Sequence, residues 1–250
     1  MGRVLGCLLV VGVVAAMSMA GARGASAVAA VGTDTYRVVA IQPGQGQIVG
    51  VAHPVTVTFA KPVHDRAAAQ RTITISVAEN TTGSFTWLND TAVRWSPDGF
   101  WPAHNTVRVL AGGAKAEFTT GAAVVGVADI SAHSFTVLID GQVVREMPAS
   151  LGKPGFETPI GTFKVLERQR EVVFDSRTIG IPLDDPEGYL INGEYAVRVT
   201  WGGVYIHSAP WSVGSQGTTN VSHGCINLSP DNAAWYFGTV RVGDPVIVQA

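Results

Sequence analysis

The segment Ser222–Asn227 reads Ser-His-Gly-Cys-Ile-Asn and places a thiol directly after a glycine and close to an imidazole. Cys225 is one of only two cysteines in the 250 residues. A thiol at its usual pKa is mostly protonated at neutral pH, and a nearby imidazole activates it by taking the proton. His207 ends a strand-like run upstream, and the two side chains need only meet in space. The sequence therefore predicts Cys225 as a nucleophile and His207 as its base.

Three neighbours of this pair are candidates for supporting roles. Ser208 is placed to orient the His207 ring through its carbonyl or hydroxyl oxygen, a role that Asp or Asn often takes. His223, Gly224 and Cys225 present successive backbone N–H groups beside the thiol, which is the usual construction of an oxyanion hole. A glycine there lets a substrate approach the backbone closely. We predict Ser208, His223 and Gly224 as further catalytic residues.

Two other interpretations of the same residues stay open on chemistry alone. His207, His223 and Cys225 are also zinc ligands by type, although a structural zinc site usually has four ligands and only Asp231 is at hand as a fourth. Alternatively, Cys225 is a small buried apolar residue and both histidines are hydrogen-bonded structural groups. Our prediction is that the chain holds neither a metal nor a cofactor.

The N-terminus has the three parts of a secretory signal peptide. Arg3 gives the positive start, Val4–Met17 an apolar run, and Ala25–Ala27 a small-residue cleavage site. A retained membrane anchor is the alternative, but glycines interrupt the run and it is shorter than the ~20 residues that a span needs. We predict that residues 1–27 are removed on export. The exported protein would then carry one thiol and no disulfide partner for it, since Cys7 is lost.

Charge and composition narrow the class of protein. The formal net charge is −2, and basic residues form no cluster, so nucleic acid is not a predicted partner. About 220 residues would remain after export, which is enough for one large domain or two small ones, each with a hydrophobic core. Neither the charge nor the composition indicates an oligomeric state.

The first half of the chain, residues 36–120, alternates short β-branched or aromatic runs with turn residues, a pattern typical of a β-sandwich. Residues 65–71 alone suggest a short helix. The strands predicted here are Val55–Phe59, Thr72–Ile75, Gly83–Trp87, Ala92–Trp95 and Thr106–Val109. Its three histidines, His53, His64 and His104, have no cysteine or paired acids nearby. We interpret this half as an immunoglobulin-like domain without chemistry of its own.

Residues 121–123 are the predicted boundary, and residues 123–250 form a second, β-rich domain. Asp140-Gly141 between two alternating strands predicts a hairpin, because a type I′ turn needs positive φ at both central residues. Ser229 is a typical N-cap, with Pro230 at the first helical position, and predicts one short helix after the nucleophile. The strands predicted are Val124–Asp129, Ser134–Ile139, Gln142–Met147, Gly161–Leu166, Tyr195–Thr200, Gly203–His207 and Val246–Val248.

A family resemblance discriminates between these interpretations. A histidine, a gap, and then Ser-His-Gly-Cys-Ile-Asn resembles the signature of L,D-transpeptidases with a YkuD-type catalytic domain. Gly152–Pro154 and Thr158–Phe163 are similar to that family's Gly…Thr-Pro-x-Gly-x-Phe stretch, and the resemblance covers roughly residues 124–248. The segment Val204–Trp211 looks like that of the mycobacterial members with an immunoglobulin-like domain in front.

The resemblance implies an acyltransferase that forms 3→3 cross-links in peptidoglycan, in the periplasm or cell wall. The nucleophile attacks the carbonyl of the third residue of a donor tetrapeptide stem, releases D-Ala, and passes the acyl group to the amine of an acceptor stem. β-Lactams of the carbapenem class are the implied covalent inhibitors. The implied substrate-binding residues are Tyr189, Gly202, Gly203, Trp211 and Asn227. Tyr189, on the lid, and Trp211 are also our candidates for covering the thioester.

Two other classes remain as alternatives. A sortase-like cysteine transpeptidase also uses a Cys thioester assisted by His, and Arg241 would imitate its arginine. Sortases, however, have a different segment before the nucleophile. A non-catalytic wall-binding module with an inert Cys225 is the second alternative, and it predicts a slowly reacting thiol without a β-lactam adduct.

Overall fold

A computed structural model describes residues 36–79 and 81–250, and all of these belong to one compact unit. The predicted signal peptide, residues 1–27, and Cys7 lie outside the described residues. Among the residues described, no helix is long and apolar enough to cross a membrane.

The first half of the described chain is a sandwich of two four-stranded sheets. One sheet has the strand order β1-β3-β6-β5 and the other the order β2-β8-β7-β4. The strands are β1 (Val38–Gln42), β2 (Ile48–Val49), β3 (Val55–Phe59), β4 (Ile73–Ser76), β5 (Gly83–Trp87), β6 (Ala92–Pro97), β7 (Thr106–Ala111) and β8 (Ala114–Thr120). The strands β1, β2 and β8 were not predicted.

Alternation in sequence explains why this sandwich forms. In β3, Val55, Val57 and Phe59 are buried and the two threonines between them are less buried, because successive strand residues face opposite sides of a sheet. The short helix α1 (Arg66–Arg71) begins after Asp65, whose carboxylate accepts a hydrogen bond of 2.8 Å from the Ala68 N–H. The core of the sandwich includes Trp95, Trp101 and Phe118.

The second half contains a five-stranded sheet of order β11-β10-β9-β17-β12 and a four-stranded sheet of order β13-β14-β15-β16. The strands are β9 (Val124–Asp129), β10 (Ser134–Ile139), β11 (Gln142–Pro148), β12 (Gly161–Lys164), β13 (Glu167–Asp175), β14 (Leu190–Arg198), β15 (Tyr205–Ser208), β16 (Ile226–Leu228) and β17 (Pro245–Gln249). Short 3-10 helices span Ser176–Ile179 and Pro210–Ser212. The mainly β fold predicted from sequence is therefore confirmed.

The turn and the helix of this half lie where their local sequences predicted them. Asp140 and Gly141 have φ of 49° and 81°, as the predicted hairpin requires. The helix α2 (Pro230–Thr239) begins after Ser229, whose hydroxyl accepts from the Asn232 N–H. The α2 residue Tyr236 is fully buried and packs edge-on against Phe135 of β10. The helix thereby closes the core of this half.

The prediction differs most from the structure in the four-stranded sheet. The strand predicted at Tyr195–Thr200 runs from Leu190 to Arg198, and its long hairpin partner β13 was not predicted. Gly193 lies within β14 because the ring of Phe174 covers it: a Cβ there would lie 2.3 Å from a ring carbon. An Asn-Gly pair usually signals a turn, so packing overrides the local signal here.

Main-chain bonds join the two halves. The Gly50 N–H donates to Val242 O over 3.0 Å, and the Ala52 N–H donates to Gly243 O over 2.7 Å. The carboxyl group of Asp244 is completely buried at this junction and accepts from the Arg241 N–H over 2.7 Å. A Cβ on Gly50 would lie 2.4 Å from Asp244 Oδ1, so the backbones of the two halves are in close contact here.

Candidate active site

A cavity of about 570 Å³ opens on the four-stranded sheet of the second half. It is enclosed by the β13–β14 hairpin, the turn before β15, and the loop that carries the cysteine. Eight residues predicted from sequence line it: Tyr189, Gly202, Gly203, His207, Trp211, His223, Cys225 and Asn227. Ser208 and Gly224, the other two, lie behind the wall and support it through their backbone atoms.

Strand register brings the nucleophile and the base to one face. Strands β15 and β16 pair in parallel with His207 opposite Asn227. Directly paired residues project to the same side of a sheet, and so do residues two apart along a strand. Cys225 is two residues before Asn227 and therefore faces the same cavity as His207. Its thiol donates toward Gly203 O over 3.6 Å.

His207 is held in one tautomer by its own neighbour. Its Nδ1–H donates to Ser208 O over 2.8 Å, because a carbonyl can only accept, and this leaves Nε2 free to take a proton. The ring is 3% exposed and packs against Phe174, 4.5 Å between ring centroids, and Trp211, 5.9 Å. Ser208 thus orients the histidine through its carbonyl, one of the two atoms predicted for this role.

Burial sets the charge of both reacting groups. Loss of solvent lowers the pKa of His207 to about 4, against a smaller opposing effect of the Ser208 hydrogen bond. Loss of solvent also raises the pKa of Cys225 to about 11, although the backbone of Tyr205 opposes this. At neutral pH both groups are uncharged. A neutral thiol and a neutral imidazole therefore line the same cavity.

A chain of hydrogen bonds shapes the loop that carries the cysteine. Ser222 Oγ donates to Cys225 O over 2.6 Å and accepts from the Gly224 N–H over 3.1 Å. Gly224 has φ of 109°, a conformation that strains other residues. The Gly224 N–H is already hydrogen-bonded to Ser222 Oγ, so the N–H groups of His223 and Cys225 remain as candidates for the predicted oxyanion hole.

Thr158 ties this loop to the first family-like stretch. Its hydroxyl donates to Gly224 O over 3.0 Å and accepts from the Gly152 N–H over 2.9 Å. The side chain is 2% exposed, so its two hydrogen bonds form away from solvent. Thr158 appeared in the sequence only as part of a motif, and the structure gives it a positioning role.

The lid loop, residues 176–189 between β13 and β14, covers one side of the cavity. The Tyr189 ring lies 5.0 Å from the His223 ring, and Ile179 is a further lining residue from this loop. Glu187 Oε2 accepts from Lys153 Nζ over 2.5 Å and from His223 Nε2 over 3.0 Å. Trp211 also lines the cavity and is half exposed.

Sequence reasoning did not find Phe174, Glu187 or Lys153 as site residues. Phe174 fixes the base by packing, and no spacing pattern announces it. Glu187 and Lys153 are 34 positions apart and each is an ordinary surface charge in sequence. Within the described part of the chain, no group of three or more His, Cys, Asp or Glu side chains is arranged to hold a metal ion.

Comparison with known proteins gives consistent matches. The family model "L,D-transpeptidase catalytic domain" matches residues 123–248, and the "Bacterial Ig domain" model matches residues 14–114. The chain is 60% identical to L,D-transpeptidase 1 of Mycobacterium tuberculosis over 84% of each protein. It is 45% identical to Probable L,D-transpeptidase 3 of that organism over the full length of both.

Solved structures agree with the sequence matches. An L,D-transpeptidase from Mycobacterium smegmatis superimposes with a TM-score of 0.82 at 62% identity, over 86% of this chain and 99% of that one. An L,D-transpeptidase in complex with imipenem superimposes with a TM-score of 0.80 at 59% identity, over 85% and 99% of the two chains.

Proposed function

Because this chain belongs to the L,D-transpeptidases with a YkuD-type catalytic domain and is a peptidoglycan L,D-transpeptidase, we propose that Cys225 carries the donor stem as a thioester and that His207 moves the protons. Membership in this family decides against a sortase and against a non-catalytic wall-binding module. The observation that carries the proposal is the orientation of His207: its Nδ1–H is bound to Ser208 O, and its ring lines the same cavity as Cys225.

The reaction proceeds in two acyl transfers. Cys225 Sγ attacks the carbonyl carbon of the third residue of a donor tetrapeptide while His207 Nε2 takes the thiol proton. The C–N bond to the terminal D-Ala breaks, its nitrogen receives that proton, and D-Ala leaves. The side-chain amine of the third residue of an acceptor stem then attacks the thioester. Its proton passes through His207 to the departing sulfur, and a 3→3 amide remains.

The neutral resting pair fits this sequence of steps. The lowered pKa of His207 keeps its imidazole neutral at neutral pH, so Nε2 is available to take the thiol proton. The Cys225 N–H is the amide closest in the chain to the attacking sulfur and is the proposed donor to the oxyanion. Each such donor contributes about 3 kcal/mol, which corresponds to roughly a hundredfold in rate.

Five cavity residues are the proposed contacts for the stem peptides. Asn227 is buried and donates its amide N–H to Ser212 Oγ over 3.2 Å, so its carbonyl oxygen is directed by that bond. Gly202 and Gly203 offer backbone groups in the turn before β15, and a Cβ on Gly203 would meet no atom within 4 Å. This turn therefore leaves open space for a peptide. Tyr189, on the lid loop, and Trp211 also line the cavity.

The place of action and the inhibitors follow from the same chemistry. Peptidoglycan lies outside the cytoplasmic membrane, so we propose export by the predicted signal peptide and action in the periplasm or cell wall. A thioester stores the acyl group without ATP, which suits that compartment. Carbapenems are proposed to acylate Cys225, as structures of relatives with imipenem and with a faropenem-derived adduct suggest.

Purified tetrapeptide muropeptides provide the decisive experiment. Wild-type protein should release D-Ala and form dimers linked between third residues, whereas Cys225→Ala should do neither. Incubation with a carbapenem should add one adduct mass to the wild type, located on Cys225, and nothing to Cys225→Ala. Pentapeptide donors should give little product. Efficient 4→3 dimers from pentapeptides, without 3→3 dimers from tetrapeptides, would contradict the proposed function.

A further inference from the structure

A charged cluster outside the cysteine–histidine pair connects three separate segments of the chain. Glu187 is on the lid loop, His223 is on the nucleophile loop, and Lys153 follows β11. One carboxylate oxygen, Glu187 Oε2, accepts from both Lys153 Nζ and His223 Nε2. Among the described residues, the hydrogen bond from His223 to Glu187 is the one that joins a carboxylate of the lid to the loop that carries the cysteine.

Each partner in this cluster is held in place by further contacts. A tight turn presents Glu187: its N–H donates to Asp185 Oδ1 over 2.8 Å. A Cβ on Gly188 would lie 2.4 Å from Pro182 O, so the lid loop is folded closely upon itself. The His223 ring contacts two aromatic rings, with centroid distances of 4.6 Å to Phe156 and 5.0 Å to Tyr189.

The charge of the cluster favours the closed arrangement. Lys153 is the main reason that the pKa of Glu187 lies below its usual value, and His223 contributes less, so the carboxylate is ionised at neutral pH. The Glu187 side chain is 44% exposed, whereas those of Lys153 and His223 are 25% and 17% exposed. A partly exposed pair of this kind is weak, so opening the lid would cost little free energy.

We propose that Lys153, Glu187 and His223 form a latch that holds the lid loop against the nucleophile loop, and that Glu187 is a positioning residue that sets how the thioester divides between the acceptor amine and water. The inference rests on the proposed function. With the latch closed, Tyr189 and Ile179 stay over the cavity and limit access of water to the acyl group. With the latch broken, water gains access, and the ordered lid no longer helps to confine the acceptor stem.

The test compares Glu187→Ala and Lys153→Met with a matched control, Glu171→Gln. Glu171 is an exposed carboxylate on β13 of the same hairpin and does not line the cavity. The measurement is the ratio of hydrolysed tripeptide stem to 3→3 dimer formed from tetrapeptide muropeptides. This ratio is set after the thioester forms, so it does not depend on how much protein is folded. A purely structural role would leave it unchanged.

Both latch variants should raise the ratio by about two- to fivefold, the range that corresponds to an exposed ion pair. Amides of residues 176–189 should exchange hydrogen for deuterium faster in the latch variants than in Glu171→Gln. An unchanged ratio, or a changed ratio without faster exchange in the lid loop, overturns the latch. If the wild type makes no dimers from tetrapeptides, the proposed function fails instead, and the two failures are therefore distinct.

Discussion

His53 in the sandwich and His207 in the second half have the same local geometry. In each, the ring Nδ1–H donates to the carbonyl of the next residue over 2.8 Å, and burial lowers the pKa of the imidazole. His53 packs against Gly243, on which a Cβ would lie 2.5 Å from the His53 Cβ, whereas His207 faces a cavity with a thiol. An oriented, neutral imidazole is therefore not by itself a catalytic signature.

The two halves of the chain also differ in the elements that surround their cores. Each has two sheets and its own hydrophobic core. The second half adds a parallel strand pair beside the nucleophile and a long hairpin whose loop covers it. The sandwich core includes aromatic rings in contact, such as Trp95 and Trp101, whose tilted rings have centroids 5.0 Å apart. The candidate active site is thus formed by strand ends and loops that border an open cavity.

The two histidines give the sharpest test of this comparison. His207→Ala should slow acylation by a carbapenem about 10²–10⁴-fold, because the thiol loses its general base. His53→Ala should change the rate less than about twofold, although it creates a void at the junction and lowers stability. The measurement is the rate of adduct formation by mass spectrometry. A similar loss of rate in both variants would break the comparison.

A core substitution separates folding from chemistry. Phe118→Ala should lower the free energy of unfolding by about 3–5 kcal/mol, because a fully buried aromatic ring of the sandwich is removed. The rate of carbapenem acylation per folded molecule should stay the same. Denaturant titration and adduct formation at low denaturant check the two statements. A fall in the acylation rate of the folded protein would show that the sandwich supports the site directly.

The junction between the halves should depend on pH. Burial raises the pKa of Asp244 from its ordinary value of 3.8 to about 7. The folded state then binds more protons than the unfolded state between these values, so this group's contribution to stability falls as pH rises. Relative to the wild type, Asp244→Asn should gain roughly 2–3 kcal/mol between pH 5 and pH 8. Unfolding of both proteins at each pH measures this, and a constant difference would contradict it.

The smallest effect is expected from Thr158. Thr158→Val keeps the shape of the side chain but leaves Gly224 O and the Gly152 N–H without their partner. This should cost about 1–2 kcal/mol of stability and slow acylation severalfold, because the nucleophile loop loses a support. Thr74→Val, an exposed change on β4 of the sandwich, is the matched control for threonine loss. Equal acylation rates in Thr158→Val and the wild type would remove Thr158 from the site.

Local chemistry determines which parts of the fold the sequence could predict. The strand Val55–Phe59 alternates cleanly, and the Asp140-Gly141 turn and the Ser229 cap each satisfy a short-range geometric need. The hairpin β13–β14 was missed because β13 is rich in charge and β14 contains Asn192-Gly193. Its pairing is favoured by the contact of Phe174 over Gly193, which is a tertiary interaction and leaves no periodic signal.

The same distinction holds for the site. Residue chemistry predicted the cysteine, the histidines and their neighbours, and the resemblance added five substrate-binding residues; eight of these ten residues line one cavity. The residues that support the site became evident only from the folded structure. Glu187 meets His223 only because the lid folds over the nucleophile loop, and the charge of an isolated glutamate in sequence does not indicate such a contact.

The high pKa of Cys225 has a consequence for the lifetime of the enzyme. Peroxide oxidises thiolates far faster than thiols, and sulfenic acid is the first product on a path that leads to irreversible sulfonic acid. A thiol with a pKa of about 11 is almost wholly protonated at neutral pH and so resists this damage. In the proposed mechanism, deprotonation of the thiol is coupled to attack on a bound carbonyl. Cys225 forms no disulfide among the described residues, so its protection between turnovers comes from the surroundings of the thiol.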